Sequence, residues 1–124
     1  MLNIKKIKEI LDTLREVEFA YLFGSYATGK ADENSDIDIA IFIKTDYDIF
    51  DTKLKVHHKL EIAMDKEVDV ISLNTIKNFD LLNDIFDDGV VLKDSEDDFR
   101  VMFELKKQHE ILDYKEFKRM LDVA

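Results

Sequence analysis

The sequence predicts a small α/β or α+β domain in which helices pack on a single mixed sheet. Segments with the three-and-four spacing of amphipathic helices alternate with short apolar segments typical of strands. The 124 residues lie within the usual size of one domain, and no proline occurs to mark a boundary. Core-forming residues are spread along the whole chain. We therefore expect one domain over residues 1–124.

The first helix and the first strand are predicted before residue 24. The helix runs from Ile4 to about Arg15, because apolar residues recur at helical spacing: Ile4, Ile7, Ile10, Leu11 and Leu14. The segment from Phe19 to Phe23 is short, aromatic and apolar. It stops at Gly24, as a buried strand that ends in a tight turn would.

A second strand is predicted between Ser35 and Lys44, where the two-residue period is strict. One face carries only isoleucines: Ile37, Ile39, Ile41 and Ile43. The other face carries Asp36, Asp38, Ala40 and Phe42. Both aspartates are therefore expected to project from the same face of this strand.

The remaining elements continue the alternation of helices and strands. A helix is predicted over residues 46–64, with an apolar face of Ile49, Phe50, Leu54, His57, Leu60 and Met64. In chain order there follow a strand (Val68 to Leu73), a helix (Asn74 to Phe86) stopped near Gly89, and a short strand (Val90 to Lys93). Ser95 and the acidic residues after it indicate the start of a long final helix. A break in this helix is considered near Asp113.

Composition and charge narrow the classes of function. With no cysteine, the chain can offer a metal only carboxylates and three histidines, so a hard ion such as Mg²⁺ is expected. A net charge of -10 repels a phosphate backbone, which argues against direct binding of nucleic acid and favours a basic protein partner. Charges interrupt the amino-terminal apolar residues, so neither a signal peptide nor a membrane span is predicted and a cytoplasmic location is expected.

The segment from Gly24 to Asp38 carries the chemistry. A strand that ends in Gly24-Ser25 and turns toward a helix leaves backbone N–H groups unpaired at the turn. Since glycine has no side chain, a phosphate could approach the main chain closely there. The Ser25 hydroxyl could donate to the same phosphate oxygens. The turn is therefore a candidate nucleotide-binding element.

Three aspartates form the candidate catalytic and metal-binding set. Asp36 and Asp38 lie two positions apart on one strand, with Cα atoms roughly 6.5 Å apart, so both could reach one Mg²⁺ site. Asp69 lies between Val68 and Val70 on the next strand, and it becomes the third ligand if the two strands are neighbours. Three carboxylates beside a phosphate-binding turn indicate in-line attack at phosphorus with two metal ions.

These residues resemble the minimal nucleotidyltransferases of the DNA polymerase beta superfamily, whose signature is Gly-Ser, ten residues, then Asp-x-Asp. Gly24, Ser25, Asp36 and Asp38 match that spacing. The flanking residues Leu22, Phe23 and Ser35 also match, while residues 67–71 and 88–92 are similar to the strand with the third carboxylate and to the short closing strand. The resemblance covers about residues 19–93 and implies a nucleotidyltransferase fold.

The resemblance also implies a reaction. Members of this size are similar to antitoxins that pair with HEPN-type ribonuclease toxins, and they use ATP and Mg²⁺ to adenylylate a tyrosine hydroxyl of the toxin. A single small domain lacks a second wall to enclose an acceptor, so we expect the partner to dock beside Asp69 and to bring the hydroxyl. Two alternatives remain open: an antitoxin that only masks its toxin, and transfer to a small molecule of the aminoglycoside type.

One position departs from the family pattern. Relatives often have an arginine near position 28, where it could pair with the triphosphate, and this chain has Thr28. Lys30 or Lys44 could take that role with less bidentate geometry. Of the two, Lys30 is placed in the nucleotide-binding set with Gly24 and Ser25, and retention of catalysis is treated as a separate question.

Overall fold

The computed structural model describes residues 2–122, which form five helices and four strands. In chain order the elements are α1 (Ile4–Asp12), β1 (Val17–Phe23), α2 (Ser25–Thr28), β2 (Ile37–Ile43), α3 (Ile49–Met64), β3 (Val68–Ser72), α4 (Phe79–Asp88), β4 (Val90–Lys93) and α5 (Phe99–Asp122). Within these residues, no helix combines the length and the apolar character needed to cross a membrane.

The strands form one mixed sheet in the order β3-β2-β1-β4. β1 is antiparallel to both β2 and β4, whereas β2 and β3 are parallel and are joined through α3. The expected small mixed sheet is thus confirmed, with β3 at one edge. The β2–β3 register places Asp38 directly opposite Asp69.

Helices cover both faces of the sheet, as the alternation in β2 predicts. The isoleucine face of β2 packs with buried residues of α1 and α3: Ile7, Leu11, Val56 and Leu60. The opposite face, with Ala40 and Phe42, packs against α4 and α5 through Leu82, Ile85 and Ile111. Asp38 therefore belongs to the α4–α5 face, near the start of β2, and Asp36 lies just before that strand.

Two early boundaries differ from the prediction. α1 ends at Asp12 instead of near Arg15. The chain forms a turn there, in which Thr13 N donates to Ile10 O (3.1 Å) and Leu14 N donates to Leu11 O (3.0 Å). β1 begins at Val17, two residues early, since Val17 is buried and pairs with Ile43. Neither shift moves the turn at Gly24.

The predicted apolar face of α3 is partly wrong. Val56 and Leu60 are buried with Thr52, but Phe50 and Leu54 are 71% and 55% exposed. A helix with apolar residues on more than one face can bury only the stripe that meets the sheet. The helix also starts three residues later than predicted, after the Asp48 side chain accepts from Asp51 N (2.8 Å).

α4 begins at Phe79, five residues after the predicted Asn74. The Asn74 side chain accepts from Ile43 N (2.8 Å) and donates to Ile43 O (2.7 Å), which holds this segment against the end of β2. Asn78 then caps the helix by accepting from Leu81 N (3.0 Å). Side-chain bonds of asparagine to backbone favour turns and caps over helix interiors, and this explains the late start.

α5 begins at Phe99 and continues through Asp122, so the predicted break near Asp113 is wrong. Ser95 lies before the helix, where its hydroxyl accepts from Arg100 N (3.0 Å) and donates to Asp97 O (2.9 Å). Packing on both sides of residue 113 keeps the helix continuous: Ile111 is buried, and Tyr114 contacts Phe79 with ring centroids 5.4 Å apart. Position 113 itself is exposed and imposes no bend.

Candidate active site

The turn after β1 is packed tightly against Asp38. Gly24 has φ 73° and ψ -152°, a conformation that is essentially restricted to glycine. A Cβ at this position would collide with Oδ2 of Asp38. The space opposite Gly24 is therefore occupied by a carboxylate. The missing side chain thus makes room for Asp38, and the approach of a phosphate to the main chain at this turn stays a prediction.

Ser25 opens the short helix α2, which ends at Gly29. The first two hydrogen bonds of α2 are donated by Ala27 N (3.1 Å) and Thr28 N (3.2 Å), and both are accepted by Gly24 O. The N–H groups of Ser25 and Tyr26 precede these bonds, so the helix itself does not satisfy them. Ser25 is half-buried beside Asp38's strand, and its N–H and hydroxyl can serve an anionic group at this turn.

The three predicted aspartates come from two neighbouring strands. Asp38 and Asp69 face each other in the register of β2 and β3, and Asp36 lies just before β2. Asp38 is partly buried, whereas Asp36 and Asp69 are exposed. Burial raises the pKa of Asp38, and the negative charges of Asp69 and Asp36 raise it further. The three carboxylates thus repel one another through space.

The aspartates do not form a ready-made ion cage. Among residues 2–122, no three histidine, aspartate or glutamate side chains are grouped closely enough to hold a metal ion. Asp36 and Asp69 are exposed and their negative charges raise the pKa of Asp38, so we expect the three carboxylates to need a cation to come together. Their oxygen donors nevertheless suit Mg²⁺.

Lys66 fixes the loop that leads into Asp36, a role that sequence reasoning missed. Its Nζ donates to the carbonyls of Glu33 (2.9 Å) and Ser35 (3.3 Å) and lies 5.7 Å from the centroid of the Tyr26 ring. The loop also closes on itself, since Asp32 N donates to Ser35 Oγ (2.9 Å). A lysine in the turn before a strand has no distinctive sequence pattern, so only the structure identifies this contact.

The two lysines proposed to replace the family's arginine differ in position. Lys30 lies directly after α2, where its N–H donates to Ser25 O (3.0 Å) and its side chain is exposed. Lys44 pairs with Glu18 (3.9 Å) beyond the far end of β2, roughly 20 Å along the strand from Asp38. The suggestion that Lys44 serves the site is therefore wrong. The Thr28 hydroxyl is directed back at the turn, 3.4 Å from the Gly24 and Ser25 carbonyls.

A glycine-serine turn packed against one of three aspartates, which lie on or just before two neighbouring strands, is the arrangement of an enzyme that transfers nucleotidyl groups through metal-assisted displacement at phosphorus. A family model described as "Polymerase beta, Nucleotidyltransferase" matches residues 5–98, which include the turn and all three aspartates. The chain belongs to this nucleotidyltransferase family.

Two curated relatives are each similar over 60% of the chain. The "Protein adenylyltransferase MntA" of Shewanella oneidensis is 37% identical over 75 residues, or 60% of this chain and 53% of the relative. The "Putative protein adenylyltransferase MJ1379" of Methanocaldococcus jannaschii is 38% identical over 76 residues, or 60% of this chain and 76% of the relative. The match thus spans about half the length of the Shewanella protein.

A solved structure extends the similarity to almost the full chain. A protein in a crystal structure described as "the toxin-antitoxin with AMP-PNP" is 30% identical. The alignment covers 98% of each chain with a TM-score of 0.74. This agreement includes the long final helix, which lies largely beyond the residues that the family model matches.

Proposed function

We propose that this chain is a protein adenylyltransferase that acts as an antitoxin. It would transfer AMP from ATP to a tyrosine hydroxyl of a HEPN-type ribonuclease toxin and so neutralise it. The observation that carries the proposal is the Gly24-Ser25 turn fixed against Asp38, in register with Asp69. The similarity to named protein adenylyltransferases and to a protein of a toxin–antitoxin structure supports the choice of acceptor.

In the proposed reaction, the acceptor oxygen forms a bond to the α-phosphorus of ATP while the bond to pyrophosphate breaks. Bound Mg²⁺, held by Asp36, Asp38 and Asp69, would supply charge neutralisation and polarise the phosphoryl oxygens. Ser25 would hold the phosphate chain through its N–H and hydroxyl, and Lys30 would add a positive charge beside it. Asp69 lies on the edge strand, where an incoming partner would meet it first, and it would accept the proton of the acceptor hydroxyl.

We expect Asp69→Asn to slow transfer more than it weakens ATP binding. The change removes the proposed base and one ligand, whereas Ser25 and the other two aspartates still hold the nucleotide. A general base typically contributes about 10²–10⁴-fold to the rate. The measurements are kcat for transfer and the Kd for ATP in the presence of Mg²⁺. If kcat falls by no more than the factor by which the Kd rises, Asp69 does not have the assigned role.

ATP binding should require Mg²⁺. A triphosphate that approaches three carboxylates on a protein of net charge -10 meets repulsion, which a divalent cation offsets. Calorimetry with ATP should therefore show binding in Mg²⁺ and loss of binding after EDTA is added. Equally tight binding in both conditions would contradict a metal-centred mechanism.

The acidity of the chain also bears on the partner. A net charge of -10 would speed encounter with a basic toxin and would weaken the association as salt rises. The reaction would take place in the cytoplasm, without direct contact to nucleic acid. Incubation with labelled ATP, Mg²⁺, a HEPN toxin and aminoglycosides should label the toxin, and label on the aminoglycosides alone would overturn the choice of acceptor.

Thr28 favours one second candidate function. The hydroxyl of this residue contacts the turn and cannot form the bidentate contact that an arginine offers a triphosphate. A chain with a weakened nucleotide site could still inhibit a toxin by covering it. In that case the complex would form without ATP, and the toxin would stay unmodified after incubation with ATP and Mg²⁺.

A further inference from the structure

A small groove runs along the free edge of the sheet, beside Asp69. It has a volume of about 220 Å³ and lies between α3 and β3. Phe50, Leu54 and His57 line it from α3, while Asp69 and Val70 line it from β3. Small-molecule pockets usually measure about 300–1,000 Å³, so this groove fits a single side chain better than a whole ligand.

The wall of the groove is unusually apolar for a surface. Phe50 is 71% exposed and Leu54 is 55% exposed, and they lie one helical turn apart on α3. Neither packs into the core, although the sequence pattern predicts both on its apolar face. Large apolar side chains that adjoin each other on a surface commonly mark a binding site.

Next to this wall, the side chains of α3 bond to the outer backbone edge of β3 at the start of the strand. At its start, Val68 N donates to Glu61 Oε2 (3.1 Å) and His57 Nδ1 donates to Val68 O (2.7 Å), so α3 satisfies the outer edge there. On the inner side of β3, Ile37 N donates to Glu67 O and Leu73 N donates to Ile41 O, and these two bonds fix the register between β2 and β3. This register directs the N–H and C=O of Val70 away from β2 and toward the groove.

Charge around the groove indicates the character of its occupant. Three exposed aspartates flank Phe50 in the sequence, just outside the residues that line the groove: Asp46, Asp48 and Asp51. Asp69 adds a further negative charge at the other end, and Lys53 contributes one positive charge to the lining. An apolar side chain flanked by basic residues is complementary to this surface.

We propose that this groove is the docking site for the acceptor segment of the partner protein, an inference that rests on the function proposed above. One apolar side chain of the segment lies against Phe50 and Leu54, and the neighbouring residue carries the hydroxyl that receives AMP. Successive side chains of an extended segment point to opposite faces, as Asp69 and Val70 do on β3. A segment paired at Val70 therefore places one side chain in the groove and the next on the carboxylate face.

The test is the double change Phe50→Ala, Leu54→Ala, measured with a HEPN toxin as the acceptor protein. We expect KM for the toxin to rise about tenfold or more, with kcat and the Kd for ATP unchanged. Ile62→Ala is the matched control, because Ile62 is 70% exposed on the same helix but lies eight residues beyond Leu54, roughly 12 Å further along. An unchanged KM, or an equal rise in the control, would overturn the docking site.

A binding measurement separates this inference from the proposed function. Toxin affinity is measured without ATP, for the wild-type chain and for the two variants. If the double variant binds weakly but the wild type transfers no AMP, the groove stands and the catalytic proposal fails. If the wild type transfers AMP and the double variant matches it in KM and in affinity for the toxin, the docking site is contradicted while the proposed function stands. Absence of both binding and transfer overturns both.

Discussion

Asp38→Asn should abolish AMP transfer while the fold persists. Asp38 is the one carboxylate of the three that is partly buried, and it lies between the Gly24 turn and Asp69. Its loss removes a charge from the proposed metal site and none from the core, so we expect a rate reduction of about 10³-fold or more. Asp36→Asn should act in the same direction. Transfer by purified protein is the measurement for both variants.

The thermal midpoint provides the control for this prediction. Because burial and two negative neighbours disfavour the charged form of Asp38, asparagine should leave the midpoint in EDTA equal to or above that of the wild type. Asp113→Asn, an exposed change on α5, should keep activity within about twofold. Full activity in Asp38→Asn, or a collapse of its midpoint, would show that Asp38 has another role.

Gly24→Ala should damage both stability and catalysis. At φ 73° and ψ -152° an alanine is strained, which costs on the order of 1–3 kcal/mol of unfolding free energy. The new Cβ also collides with Oδ2 of Asp38, so either the turn or the carboxylate must move. Because a displacement of about 1 Å can cost roughly 10²-fold in rate, activity should fall further than stability alone explains.

Gly29→Ala separates strain from the collision. Gly29 has φ 77° and ψ 14°, so alanine is strained there too, at a cost of about 1–2 kcal/mol. A Cβ at Gly29 meets nothing within 4 Å. Urea unfolding should therefore show comparable destabilisation in both variants, while only Gly24→Ala loses transfer activity. Similar activities in the two variants would contradict the fixed contact between the turn and Asp38.

The sequence was sufficient for the sheet and for the proximity of Asp38 and Asp69 at one end of β2 and β3. Strict alternation over residues 37–43 predicts both faces of β2, because its two faces pack against different layers. The predicted proximity of Asp69 to Asp38 follows from a parallel β2–β3 pair, and the register confirms it. Assignment of these residues to catalysis and metal binding stays a prediction.

Features that depend on tertiary contacts could not be predicted. The late start of α4 is caused by Asn74, whose partner Ile43 is 31 residues away in the sequence. Exposure of Phe50 could not be foreseen either, since periodicity gives the apolar positions of α3 but not which stripe meets the sheet. Residue type alone makes Lys44 a candidate phosphate ligand, but it follows the end of β2 that is opposite to Asp38.

The most direct measurement is the intact mass of a HEPN toxin after incubation with this chain, ATP and Mg²⁺. The account predicts that the toxin gains mass in whole adenylyl units and that digestion locates them on tyrosine. The same incubation with the Asp38→Asn variant, or with EDTA, should leave the mass unchanged. A toxin that is bound and inhibited by the wild-type chain without any gain in mass would contradict the account.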